Sequence, residues 1–292
     1  MWRLRSIVFV ALACSVAGCA AAAAPPKVAR VPRPAAPASA PTTVSTTTTT
    51  PVLHQPGDFH RPLDRSRPLR VMVVGDSVGM TLATGLQEWA TATGGAQVLD
   101  AARAWCSLGR YLPRNTFGPQ NSAAGCDDWG TRWADDVRTF DPDVVFVMYT
   151  VWEVIPRRLS GSTDFTRPGD PAHDAWQLSE YRRAADVLSA RGARVVFFSI
   201  ACENETPIRR GEPYWYVNRG TLPLLAASRP AVRLIDLDAL LCGGGHLRND
   251  LGGVANIRPD HAHYSDAGAL ALARWLMPIV LGVTKAPPYA LG

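Results

Sequence analysis

Residues 69–78 read Leu-Arg-Val-Met-Val-Val-Gly-Asp-Ser-Val. The apolar, β-branched run at 70–74 predicts a strand. Gly75-Asp76-Ser77 ends it and predicts a tight turn into a helix over 79–93, since Asp and Ser satisfy the free N–H groups of a first helical turn. The same rhythm recurs down the chain, with strands predicted at 96–100, 143–149, 194–200 and 232–235 and helices at 128–140, 176–191, 213–227 and 267–280. Strands alternating with helices of this length indicate an α/β fold, a three-layer sandwich around a mainly parallel five-stranded sheet covered on both faces. In such sheets sites form at the C-terminal strand ends, where Ser77 lies.

A second motif, Asp260-His261-Ala262-His263, precedes the last predicted helix. Together the two motifs supply the parts of one catalytic pocket. A hydroxyl is a poor nucleophile at neutral pH until a base removes its proton, and that base needs a third group to fix its tautomer and stabilise its charge. Ser77, His263 and Asp260 fill those three roles. The bland alternative is that Asp76-Ser77, Asp260 and Ser265-Asp266 are only turn and capping residues. The strand-turn-helix context, and the Asp-x-x-His near the end of the folded region, favour the catalytic reading. His261 and His263 are separated by one residue and point to opposite sides of an extended segment. With no matching ligand cluster elsewhere, no metal and no cofactor are expected. His54, His60, His173 and His246 lie in polar or Gly-rich surroundings and carry no signal.

The residues Gly75-Asp76-Ser77 and Asp260-x-x-His263-Tyr264-Ser265-Asp266-Ala267-Gly268 resemble the SGNH (GDSL-type) hydrolases, α/β enzymes of flavodoxin-like architecture that cleave or transfer acyl esters. More narrowly, the chain is similar to the periplasmic SGNH domains associated with membrane acyltransferases. In that branch a Cys-x-Leu segment follows the second strand and a Trp-Glu pair the third, here Cys106-Ser107-Leu108 and Trp152-Glu153. The resemblance implies that oxyanion-hole or substrate contacts come from among Gly75, Asp76, Cys106, Gly109, Trp152 and Glu153. Two departures stand out. Thr150-Val151-Trp152-Glu153 replaces an expected Gly-x-Asn-Asp, so the usual Asn donor is missing, and Trp105 stands where a Gly would precede Cys106. Losing one oxyanion donor costs about 3 kcal/mol of transition-state stabilisation. The N–H of Ser77 and a second donor from the loop 105–109 would replace it, with the Trp152 indole N–H as a substitute for the amide. The implied function is an exported serine esterase or acyltransferase acting on O-acyl, foremost O-acetyl, groups of a cell-envelope glycan or related acyl ester, working alone or with a membrane acyltransferase. The rival from another class is a non-catalytic glycan-binding module on the same fold.

The 292 residues, 47% hydrophobic and 19% charged, suit a globular domain plus a biased segment. The net charge of +5 comes from scattered arginines, and no basic stripe with interleaved aromatics argues for nucleic acid. Residues 1–19 read as a secretory signal, basic at Arg3 and Arg5 and apolar over 7–17. It ends in the lipobox-like Val16-Ala17-Gly18-Cys19, so Cys19 is the expected lipid anchor to the bacterial membrane, with ordinary cleavage within 20–24 as the alternative. Residues 20–67, rich in Ala, Pro and Thr, form a tether. At about 3 Å per residue it lifts the domain on the order of 100 Å from the membrane. The SGNH-like domain spans 68–282 and a tail 283–292. Cys106, Cys126, Cys202 and Cys242 invite disulfides in an exported protein. Three pairings are open, and nearness along the chain suggests Cys106 with Cys126 and Cys202 with Cys242. Trp129, Trp133, Trp152, Trp215 and Tyr216 offer sugar-stacking faces, although the helical spacing of the first two points to packing. Gly243-Gly244-Gly245 reads as a loop.

Overall fold

The computed structural model describes residues 66–110, 125–203, 208–243, 247–284 and 289. The signal, Cys19, the tether up to residue 65, His54, His60 and His246 lie outside the described residues. In chain order the elements are β1 (Leu69–Gly75), α1 (Ser77–Thr93), β2 (Ala96–Asp100), α2 (Trp129–Phe140), β3 (Val144–Met148), β4 (Arg157–Arg158), β5 (Phe165–Thr166), α3 (Pro171–Leu188) and β6 (Arg194–Phe198). They continue with α4 (Pro213–Tyr216), α5 (Leu222–Ser228), β7 (Val232–Ile235), α6 (Leu237–Cys242), β8 (Asp250–Leu251), β9 (Val254–Ala255) and α7 (Asp266–Val280).

The five long strands form one parallel sheet in the order β2-β1-β3-β6-β7, with Val71 opposite Val144 and Val73 opposite Phe146. Alternate residues of each strand feed opposite faces, as the pleat requires. Val71, Val73, Phe146 and Phe198 enter the core with Leu82, Leu86, Leu272 and Leu276 from α1 and α7. Met72, Val74, Val145 and Phe197 enter the other with Trp133, Tyr181, Leu188 and Leu225 from α2, α3 and α5. This is the three-layer α/β sandwich expected from the sequence.

Several boundaries shift for local reasons. α1 begins at Ser77 rather than at 79, because the Asp76 side chain caps it by accepting from the Val78 N–H. α3 starts five residues early, where Pro171 occupies the first turn and loses no bond by lacking an N–H. The helix expected over 213–227 is divided by a π turn, Val217–Thr221, between α4 and α5. The hairpins β4/β5 and β8/β9 have two-residue strands, too short to show a period.

Cys106 pairs with Cys126 and Cys202 with Cys242. Trp129 and Trp133 stack at 4.7 Å and are buried, so they pack the core. His173, silent in the sequence, is fully buried. Arg67, placed at the end of the tether, makes a two-pronged contact with the buried Asp143 carboxylate at 2.7 and 2.8 Å and so belongs to the fold. Tyr289 of the tail is buried, its hydroxyl donating to the Asn218 carbonyl at 2.6 Å. Among the described residues no helix is long and apolar enough to cross a membrane, and no cluster of three or more potential metal ligands occurs.

Candidate active site

Gly75 ends β1 with φ +152, and a Cβ there would overlap the Met148 carbonyl oxygen. Only glycine lets β1 run this close to the end of β3. The Asp76 N–H then donates to that same carbonyl at 3.2 Å. The buried Asp76 carboxylate accepts from the Val78 N–H at 2.9 Å, the Thr150 N–H at 2.8 Å and the Thr150 hydroxyl at 2.6 Å. Burial pushes the Asp76 carboxyl up, and the Thr150 and Val78 donors draw it back. Asp76 thus fastens the turn to the loop after β3, and Ser77 is held as the first residue of α1.

The imidazole comes from the other end of the chain. α7 packs on α1 so closely that a Cβ at Gly85 would overlap the Ala269 backbone. Ser265 caps α7 by accepting from the Gly268 N–H at 3.2 Å, and the Tyr264 N–H donates to the Thr81 hydroxyl of α1 at 3.3 Å. The segment before α7 is thereby fixed beside the first turn of α1. His263 Nε2 lies 2.8 Å from Ser77 Oγ, and His263 Nδ1 lies 2.7 Å from Asp260 Oδ2. Asp260 Oδ1 also accepts from the backbone of Ala262 at 3.0 Å and His263 at 2.7 Å. Partial burial raises the Asp260 pKa, but the ring bond to His263 and the two backbone donors outweigh it and bring the carboxyl down to about 2. Ionised, it can only accept, so Nδ1 carries the proton and Nε2 is left to accept from the serine hydroxyl. The structure therefore brings Ser77, His263 and Asp260 into one hydrogen-bonded chain, with His263 43% and Asp260 57% exposed at the surface.

The remaining candidates, Cys106, Gly109, Trp152 and Glu153, sit in the loops after β2 and β3. The Cys106 N–H donates to the Arg103 carbonyl at 3.3 Å, and the Leu108 N–H to the Glu153 carboxylate at 2.6 Å. Those two donors of the loop 105–109 are committed within the protein. Gly109 packs against the Trp176 ring. Glu153 is buried and accepts from the Tyr181 hydroxyl at 2.9 Å as well. Burial pushes its carboxyl up, with the nearby Arg157 guanidinium and the Leu108 and Tyr181 bonds opposing. Its carboxylate is a buried acceptor that ties the loops after β2 and β3 together. Arg157 reinforces this tie, donating to the Ser107 hydroxyl at 2.6 Å and the Trp152 carbonyl at 2.9 Å. Trp105 takes a left-handed φ of +67, in which glycine is unstrained. Its ring meets Trp152 edge-on at 5.5 Å.

A narrow cavity of about 20 Å3 is lined by Val78, Thr150, Glu203, Arg258, Ala262 and Tyr264, which include the chain neighbours of Ser77 and His263. Thr150, Glu203 and Arg258 were missed from the sequence, although polar residues just past the end of a parallel strand are a fair signal for the first two. Arg258 donates to the Cys202 carbonyl at 2.8 Å, while its buried Nε and Nη2 have no protein partner among the described residues.

The family model for SGNH domains, described as fused to AT3 domains, matches residues 46–211, more than half of the chain. The chain belongs to the SGNH domain family. The match takes in Ser77 and the loops after β2 and β3, and Asp260 and His263 lie beyond it. This SGNH domain is thus a hydrolase domain of the class that cleaves or transfers acyl esters. No curated protein sequence matches it. Among solved structures, the acetyl xylan esterase AlAXEase is similar at 17% identity and TM-score 0.48, covering 73% of this chain and 100% of that one. The lipopolysaccharide acetyltransferase periplasmic domain of Salmonella ser. Paratyphi A aligns at 12% identity and TM-score 0.45, covering 71% of this chain and 81% of that one. The C-terminal catalytic domain of Streptococcus pneumoniae peptidoglycan O-acetyltransferase A aligns at 15% identity and TM-score 0.39, covering 76% and 99%.

Proposed function

We propose that this SGNH domain is an exported serine esterase or O-acyltransferase acting on O-acyl, foremost O-acetyl, groups of a cell-envelope glycan. The observation that carries the reading is the unbroken hydrogen-bonded chain from Ser77 Oγ through His263 to Asp260, at 2.8 and 2.7 Å. Ser77 Oγ attacks the acyl carbonyl while His263 Nε2 takes its proton, and the ionised Asp260 stabilises the imidazolium that forms. The Ser77 N–H, at the first position of α1, has no acceptor within its own helix and stabilises the tetrahedral oxyanion together with the helix dipole. Collapse expels the sugar alkoxide, which leaves with the proton from His263. The acyl-enzyme then passes its acyl group to water or to a second sugar hydroxyl. Arg258, whose buried Nε and Nη2 have no protein partner among the described residues, lines the cavity next to this site.

Export is supported by the signal-like residues 1–19, the lipobox-like end at Cys19, the Pro-rich tether and two disulfides. A membrane acyltransferase as acyl donor is supported by the family description, which couples these domains to AT3 domains. The competing binding-module reading rests on Thr150-Val151-Trp152-Glu153, which lacks the amide donor. Treating the full chain with a fluorophosphonate probe separates the two. The wild type is expected to be labelled and to turn over p-nitrophenyl acetate, whereas Ser77→Ala loses both, by about 10³-fold or more in turnover. A wild type that neither labels nor turns over the ester, under conditions where it is folded, removes the enzymatic reading.

A further inference from the structure

The sheet order β2-β1-β3 places the loops leaving β2 and β3 on either side of the turn that carries Ser77. Both loops are fastened to that turn. On one side the Arg103 N–H donates to the Gly75 carbonyl at 2.9 Å, and on the other Thr150 binds Asp76 twice. Two tryptophans, one from each loop, meet across this arrangement, with Trp105 and Trp152 centred 5.5 Å apart at an interplanar angle of 67°. Trp152 is half-buried and braces the pair. Trp105 is 53% exposed, and it is the only tryptophan among the described residues on the exposed side of the molecule to that degree.

Its backbone makes that exposure informative. A side chain at φ +67 is strained for any L-residue, and a bulky aromatic is a rare occupant of that region. The neighbouring Cys106 is locked to Cys126, so the loop cannot easily relax. An indole that is both strained and largely exposed gains little from core packing, the usual compensation for strain. Strained positions that persist beside a reactive centre point to use in recognition. The size of the feature narrows the ligand. One exposed indole face is far smaller than the several hundred Å2 that a protein or lipid surface would need. The electron-rich face of an indole suits the weakly positive axial C–H groups of a pyranose ring, whose hydroxyls stay in water around the edge.

We infer that Trp105, braced by Trp152, is a stacking platform for one sugar ring of the glycan whose acyl group is handled at Ser77. The inference rests on the proposed glycan substrate, and it concerns binding rather than bond-breaking. Isothermal titration of the full chain with a panel of neutral β-linked oligosaccharides (chitotetraose, xylotetraose, galactotetraose) tests it without calling on catalysis. At least one is expected to bind the wild type. Trp105→Gly should weaken that binding by roughly 3- to 10-fold, the range of one aromatic contact, and Trp105→Phe should retain most of it. Because glycine adopts φ +67 freely, Trp105→Gly is expected to melt no lower than the wild type, which separates lost contact from lost fold. In kinetics, the rise in KM should be larger for an O-acetylated oligosaccharide than for p-nitrophenyl acetate. Equal affinity of Trp105→Gly and wild type, binding of no oligosaccharide by the wild type, or equal losses on the two esters would overturn the platform. Failure of the enzymatic reading shows separately, as an unlabelled Ser77 in a chain that still binds sugar.

Discussion

In the proposed mechanism, Asp260 is where the chemistry of the site is decided by a single proton. An ionised carboxylate accepts from Nδ1 and leaves Nε2 free to receive the serine proton, whereas a primary amide at the same place can donate to Nδ1 and turn the ring to the wrong tautomer. Asp260→Asn is therefore expected to keep the fold and lower turnover of p-nitrophenyl acetate by about 10²- to 10⁴-fold, measured beside an unchanged circular dichroism spectrum. Its carboxyl sits at about 2, below its ordinary value, so its favourable bonds are fully present above about pH 4 and are lost as pH falls towards 2. Ser77, His263 and Asp260 were legible because each carries a side chain of known chemistry in a recognisable local context. Thr150 and Arg258 were not, since nothing local says that Thr150 will meet Asp76 or that Arg258 will be buried beside the pocket. Trp105 was visible as a departure from pattern, but its left-handed backbone is set by tertiary contacts that no short window of sequence contains.

Helix α1 carries the serine and α7 positions the histidine, so the spacing between these helices sets the Ser77–His263 distance. Their contact is made at Gly85, where any Cβ would overlap the Ala269 backbone. Gly85→Val must push α1 and α7 apart, an overpacking cost of about 1–3 kcal/mol. Unlike a substitution in the opposite core, it also lengthens the 2.8 Å contact between Ser77 and His263. Urea denaturation should show the lower midpoint, and kcat should fall further than it does for an equally destabilising Leu188→Ala in the core against α3. Equal losses of activity in the two variants would mean that helix spacing does not set the site. At this level the sequence was a good guide, because long apolar periods in strands and helices are written locally. It failed at the π turn Val217–Thr221 and at the early start of α3, where backbone geometry and a first-turn proline override the hydrophobic period.

What unites the molecule is a buried polar seam between the loops after β2 and β3 and helix α3, and this long-range organisation was the least legible part of the chain. Strand order depends on how crossovers wind, and the seam depends on Glu153, Gln177, Tyr181 and Arg157 meeting from separate stretches, through Gln177 to the Glu153 carbonyl at 2.8 Å among other bonds. His173 lies at the edge of the seam. Its Nδ1 is 3.2 Å from the Thr166 hydroxyl, and its buried Nε2 has no partner among the described residues. Burial, aided by the Arg157 charge, lowers its pKa from 6.5 to about 4. Below pH 6.5 the unfolded chain takes up this proton while the folded one refuses it, so the stability owed to a neutral His173 is complete above pH 6.5 and drains away as pH falls to about 4. The slope approaches about 1.4 kcal/mol per pH unit at most. Asp238 works in the opposite sense: burial raises its carboxyl to about 6, so the folded form gains a proton first and is favoured as pH falls below that value. The measurement must therefore be a difference. The urea midpoint of the wild type should fall relative to that of His173→Phe as pH drops from 7 to 4, because the variant lacks the titrating ring. Parallel curves across that range would show that His173 is already protonated inside the fold, or that the fold is indifferent to its charge.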